Sequence, residues 1–353
     1  MTFEILLIIV IILYFILNKT KLKKYNENNI LFYMLTFAIF TIMQGFRAYS
    51  IGTDTKHYIE IYNIINDSSW LEILSRKAVN IEIGFGALMK FMAICNLPAR
   101  YFLIIIAMII NGGFIYFIYK NSKNPLLSIL IFMGIEFFTL SFTALRQMTA
   151  VVIILYAYMF IKEKKNIKAF LTIILASFFH TTALIFMPVI LFNYIKINKK
   201  SLAIIVGLFL VMQVIGMPIV QWGIENTPYA KYLAKNVGSG GETQLLVMII
   251  YTIIGIVLYY KNGKKGTNNI LILIMITSIY LQSFACRIQL IGRLTWYFYI
   301  FNTIYLPNLI VSIEETNKRK NFNIIFGGIN IIQFLIYSIN SYNINPYIFI
   351  QDI

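Results

Sequence analysis

Apolar residues along this chain fall into long runs, and short groups of lysine separate one run from the next. A membrane-spanning helix needs about 20 apolar residues, roughly 17 to 25 being usual. Candidate runs are Met1–Leu17, Ile30–Phe46, Tyr101–Tyr119, Pro125–Leu145, Met148–Ile161 and Ala169–Phe179 in the first half. Thr181–Ile195, Leu202–Ile219, Leu245–Tyr260, Ile270–Ala285, Leu294–Ile313 and Ile324–Ile339 follow in the second. The pattern predicts an all-α polytopic integral membrane protein with about 12 transmembrane helices in a single membrane domain, 1–353. The first run has no basic segment before it and no small-residue cleavage site after it, so it reads as a retained helix rather than a signal peptide.

The lysines orient these runs. Positive clusters stand at Lys19–Lys24, Lys120–Lys123, Lys162–Lys168, Lys196–Lys200, Lys261–Lys265 and Lys318–Lys320. Cytoplasmic loops carry such an excess, so an even number of crossings must join consecutive clusters. Between Lys168 and Lys196 lie only 27 residues, yet parity demands a return. That segment is expected to be a hairpin with short arms turning near His180, its turn buried in protein or facing a water-filled cavity. Parity also places loops 47–99, 220–244 and 286–293 outside, together with both termini.

Composition agrees. The chain is 59% hydrophobic and 12% charged, with a mean hydropathy of +0.76, whereas soluble domains are about a quarter charged. Its net charge of +16 is spread between apolar runs rather than gathered on one polar face, which argues against nucleic acid as a partner. Cys95 and Cys286 form neither a disulfide framework nor a metal motif.

Orientation sorts the 30 basic residues into two populations. Lysine fills the interior loops, where Arg319 is the single arginine. Arg47, Arg76, Arg100, Arg146, Arg287 and Arg293 all fall outside. Topology asks for positive charge of either kind, but only arginine offers a planar fork for phosphate oxygens. Arg47, Arg146, Arg287 and Arg293 sit at helix ends that can converge at the outer leaflet, where a polyprenyl pyrophosphate headgroup lies. Alternatively they are interfacial side chains that snorkel to water.

Three more places carry candidate chemistry. In the first outer loop, Gly52 permits a tight turn, and Asp54 or Thr55 either caps a short helix through Tyr58 or, in the case of Asp54, binds or deprotonates a sugar hydroxyl. Glu82 opens an apolar segment, where it either complements a helix dipole or serves the site. His180 is either a satisfied core histidine or, at a turn on the arginine side, a base for an attacking hydroxyl. Glu136, mid-run, is either a structural pair or a protonated side chain. His57 and Glu60 are two ligands without a third, a poor metal site.

In order, Arg47, Gly52-Thr53-Asp54-Thr55 with Tyr58, Glu82-x-Gly84-Phe85, Arg146-Gln147 and His180-Thr181-Thr182-Ala183-Leu184 resemble the EpsG family of bacterial exopolysaccharide proteins, itself similar to Wzy-type O-antigen and capsule polymerases. The likeness runs from about residue 30 to about residue 300, and the tail after Arg293 carries no motif. It implies a GT-C-like glycosyltransferase in the bacterial cytoplasmic membrane, with its site facing the periplasm or exterior. A growing glycan would leave undecaprenyl pyrophosphate and join the non-reducing end of a lipid-linked repeat unit, without a cofactor or metal. Donor and acceptor lipids and membrane lipid are the implied partners, with a chain-length regulator as a further candidate. His180, Asp54 and Glu82 would be catalytic, the four helix-end arginines would bind pyrophosphate, and Gly52, Thr53, Thr55, Tyr58 and Gln147 would bind substrate. A ligase acting on a lipid-linked donor is the nearest alternative. A lipid-linked oligosaccharide flippase is the alternative of another class, but it calls for internal repeats that this sequence does not display.

Overall fold

A computed structural model describes residues 3–19, 25–225, 241–340 and 342–350. The helical order begins with α1 (Phe3–Lys19), α2 (Tyr25–Gly45), α3 (Thr55–Asp67), α4 (Trp70–Leu74), α5 (Ile83–Ile94) and α6 (Ala99–Asn121). There follow α7 (Pro125–Gly134), α8 (Phe137–Leu140), α9 (Leu145–Lys162), α10 (Asn166–Ser177) and a 3-10 helix, Thr181–Tyr194. The chain closes with α11 (Lys199–Glu225), α12 (Glu242–Lys261), α13 (Asn269–Ala285), α14 (Gln289–Tyr299), α15 (Asn302–Val311) and α16 (Thr316–Asn340). Among the described residues no strand is present beyond one isolated bridge between Arg47 and Phe349.

Four helices, α6, α9, α12 and α16, are long and apolar enough to cross a membrane, and several shorter apolar helices accompany them. This is the architecture of a polytopic membrane protein; a count of twelve spans goes beyond those four. Part of the second outer loop, with Lys231 and Lys235, and residues 20–24 of the first lysine cluster lie outside the described residues.

The described lysine clusters are joined at one end of the bundle by a polar network. Asn308 accepts from the Lys123 amide at 2.7 Å and donates to the Asn121 carbonyl at 2.7 Å. Asn262 donates to Ser312, and Asn193 to the carbonyl of Ile161. Two helices that start at this end are capped by asparagine: Asn124 accepts from the Leu127 amide with Pro125 in the first turn, and Asn268 from that of Leu271.

Residues 47–99 gather at the opposite end, and both ends of the described chain come there. The C-terminal stretch crosses the first loop by Ala48 N–H to Ile348, Ile350 N–H to Phe46 and Gly52 N–H to Asn343. Phe3 packs edge-on against Phe138, Phe142 and Tyr347.

Three runs differ from their sequence expectation. Pro125–Leu145 is broken at Glu136, which takes a left-handed φ of 71°; its carboxylate accepts from the Tyr342 hydroxyl at 2.9 Å, so the half-buried acid has a structural partner. Leu294–Ile313 is divided between α14 and α15 at Ile300 and Phe301. The hairpin does turn at His180, but its second arm is the 3-10 helix. At about 2.0 Å per residue rather than 1.5 Å, its 14 residues reach about 28 Å, close to the bilayer core of about 30 Å. The short arm is thus longer than its residue count implies.

Candidate active site

The site is built where six separated pieces of chain meet, and a glycine brings two of them together. The Gly84 amide donates to the Phe178 carbonyl at 2.8 Å, and a Cβ at Gly84 would lie 2.8 Å from that same oxygen. Only glycine therefore lets the start of α5 dock on the hairpin turn. Two residues earlier, Glu82 is delivered to His180, two residues beyond Phe178.

Glu82 is the hub. Its Oε2 accepts from the Arg146 guanidinium at 2.6 Å, and its Oε1 stands 2.7 Å from His180 Nδ1. Burial by itself would raise the carboxyl's pKa, but the His180 hydrogen bond and the charge of Arg146 outweigh it and hold Glu82 at about 2. An ionised carboxylate can only accept, so the proton lies on Nδ1. That leaves Nε2 free of the carboxylate, and it has no partner among the described residues. The side chains are little exposed, 11% for Glu82 and 16% for His180, against 32% for Arg146. Tyr58, fully buried and kept neutral by that burial, lies against Arg146.

These groups open on a cavity of about 130 Å³ lined by Thr53, Asp54, Tyr58, Arg146, Gln147, His180 and Arg293, with Thr143, Trp296 and Tyr342. Asp54 stands at the N-cap of α3, yet its side chain makes no capping bond. Capping therefore does not occupy this exposed carboxylate, and it faces the cavity mouth. Gln147 donates to the Arg293 carbonyl at 2.6 Å, which ties α9 to α14 and fixes where Arg293 enters. The Arg293 guanidinium has no carboxylate partner among the described residues.

The other candidates lie elsewhere. Arg47 is fully buried behind the cavity, where its guanidinium donates to the carbonyls of Gln44, Ile51 and Phe142 and to Thr55 Oγ1. Thr55 is buried with it. Gly52 has φ 86° and passes so close to the Phe142 carbonyl that a Cβ would stand 2.6 Å away. These three pin the first loop to the turn between α8 and α9 and do not line the cavity. Arg287 is exposed and also outside it. His57 and Glu60 form an exposed pair at 3.7 Å, and no group of three potential metal ligands exists among the described residues.

Sequence reading passed over Thr143, Trp296 and Tyr342. Trp296 could have been found: it lies three residues after Arg293, one turn along α14. Thr143 bonds to Thr53 across the loop and gives no such signal.

A family model matches residues 30–349 of the chain, that of the EpsG family. No curated protein and no solved structure matches.

Proposed function

The chain belongs to the EpsG family, a family of Wzy-like polysaccharide polymerases, and from that premise we propose that it moves a growing glycan from a polyprenyl pyrophosphate onto a lipid-linked repeat unit at the outer face of the cytoplasmic membrane. The observation that carries this reading is the Arg146–Glu82–His180 chain beside a cavity that also holds Arg293.

In this reading an acceptor hydroxyl oxygen attacks the anomeric carbon of the donor sugar. Its proton passes to His180 Nε2, which Glu82 holds in the basic tautomer. The bond from the anomeric carbon to the pyrophosphate oxygen breaks, and the pyrophosphate leaves with the electron pair. Arg293, lacking a carboxylate partner, meets the charge that develops there. Arg146 is half committed to Glu82, so it both positions the base and adds a second cation. Asp54 binds an acceptor hydroxyl at the mouth, with Trp296 and Tyr342 offering apolar faces to sugar rings.

Incubating the purified chain with a purified lipid-linked repeat unit tests the reaction. Polymer ladders are expected, and absence of any product longer than one repeat would remove the proposal. Arg293→Lys keeps charge but loses the fork; it should cut the rate about 10²-fold or more, the scale of a lost transition-state donor. In cells, loss of a polymerase leaves single repeats, whereas loss of a ligase leaves long lipid-linked chains.

A further inference from the structure

We propose that the lysine end carries a dedicated binding site for the headgroup of an anionic phospholipid, in the groove between α1, α7 and α16. It is separate from the glycan chemistry and would stand if that reading failed. The groove has a volume of about 330 Å³ and is lined by Tyr14, Lys123, Asn124, Pro125, Arg319 and Asn323 among others.

Two cations converge there by construction. Asn124 donates to Asn323 Oδ1 at 2.8 Å, which seats the start of α7 on α16. Lys123 precedes Asn124, and Arg319 lies four residues before Asn323 on the same helical face. No carboxylate lines the groove among the described residues. The acids closest in sequence to Arg319 are engaged elsewhere: Glu315 pairs with Lys318 at 2.5 Å and Glu314 with Lys265 at 3.4 Å. Lys123 and Arg319 have no carboxylate partner among the described residues. Arg319 is also the one arginine at an end otherwise supplied with lysine.

The flanks decide between a lipid and a free anion. Tyr14 touches Phe15, ring centroids 5.8 Å apart, and Phe15 belongs to an exposed apolar stripe with Ile5, Ile8, Ile12 and Ile16. On the other side Ile324 and Ile325 are exposed immediately after Asn323. A phosphate between Lys123 and Arg319 would have its acyl chains laid along these stripes, toward the bilayer. A soluble phosphate would use none of this surface. Basic pockets between membrane helices take anionic headgroups in this manner.

The test uses the full chain in neutral detergent and compares phosphatidylglycerol with phosphatidylcholine of identical acyl chains, read by native mass spectrometry. Preferential retention of phosphatidylglycerol is expected. Each cation should contribute roughly fivefold, so the Lys123→Gln, Arg319→Gln double variant should bind it about thirty-fold more weakly. Lys164→Gln with Lys168→Gln removes equal charge from the same end and should leave retention unchanged. Should the double variant fail to elute as monodisperse protein, Arg319→Gln alone, expected about fivefold weaker, replaces it. Equal retention of the two lipids by the unaltered chain would overturn the proposal. So would equal loss in the control pair, or complete displacement by excess inorganic phosphate.

Discussion

The two ends of this protein hold their charges in opposite ways. At the lysine end the ion pairs stand in water: Lys265 and Glu314 are 68% and 89% exposed, and Lys318 and Glu315 are 66% and 56% exposed. Such pairs contribute about 0–1 kcal/mol. At the arginine end a single carboxylate, 11% exposed, receives both a guanidinium and an imidazole within 2.7 Å. Burying those charges costs several kcal/mol per ion unless geometry and hydrogen bonds offset it. The lysine pairs therefore stabilise the fold little, whereas the arginine cluster holds buried charges that only close geometry offsets.

That contrast can be broken most sharply at His180. His180→Ala should slow polymerisation by about 10²–10⁴-fold, the range of a lost general base, while the protein elutes as before; an unchanged rate in the purified system would end its assignment as the base. Glu82→Gln should cost about 10²-fold, since the amide no longer fixes the Nδ1–H tautomer. Glu82 also bears on pH. Its native value of about 2 lies below the ordinary 4.5, so its stabilising share is complete above pH 4.5 and is lost progressively as pH falls from there through about 2. A pH–rate profile should consequently show no carboxylate step from Glu82 above pH 4.5, and one that disappears in Glu82→Gln would contradict this. Gly84→Ala should lower activity by about tenfold, because the added methyl must push α5 off the Phe178 carbonyl and a small misplacement of Glu82 is felt at the reacting atoms. Smallest of all, a double-mutant cycle on Lys265 and Glu314 should give a coupling below about 1 kcal/mol and leave polymerisation intact.

How much of this was legible beforehand depends on the distance along the chain over which each feature is decided. Lysine spacing indicated which loops share an end, and the turn at His180 followed from parity. Both rest on local composition. The arginine set was visible as a type and not as a geometry: Arg47 and Arg146 each follow or open a helix end, yet one is sealed behind the cavity and the other lines it. Their difference lies in partners 95 and 64 residues away, Phe142 and Glu82. The break at Glu136 was hidden because a left-handed glutamate has no propensity signal; its partner Tyr342 is 206 residues distant. Tyr342 itself sits in a tail where no motif was legible although the family match extends to residue 349, and it reaches the cavity because that tail bridges back to the first loop.

The 3-10 arm has a consequence for the membrane the protein lives in. Wound as an α-helix, the same 14 residues would fall about 7 Å short of their present reach. The chain accepts poorer hydrogen-bond geometry in exchange for span, with α10 beside it only 12 residues long. Neither arm is among the four helices long and apolar enough to cross a membrane; embedded side by side, two arms of such different reach could not both match one bilayer thickness while upright. One must tilt, or the lipid must thin around the other, at fractions of a kcal/mol per ångström of mismatch. The depth of His180 at their junction would then follow acyl-chain length, and activity compared in bilayers of different thickness would read that dependence.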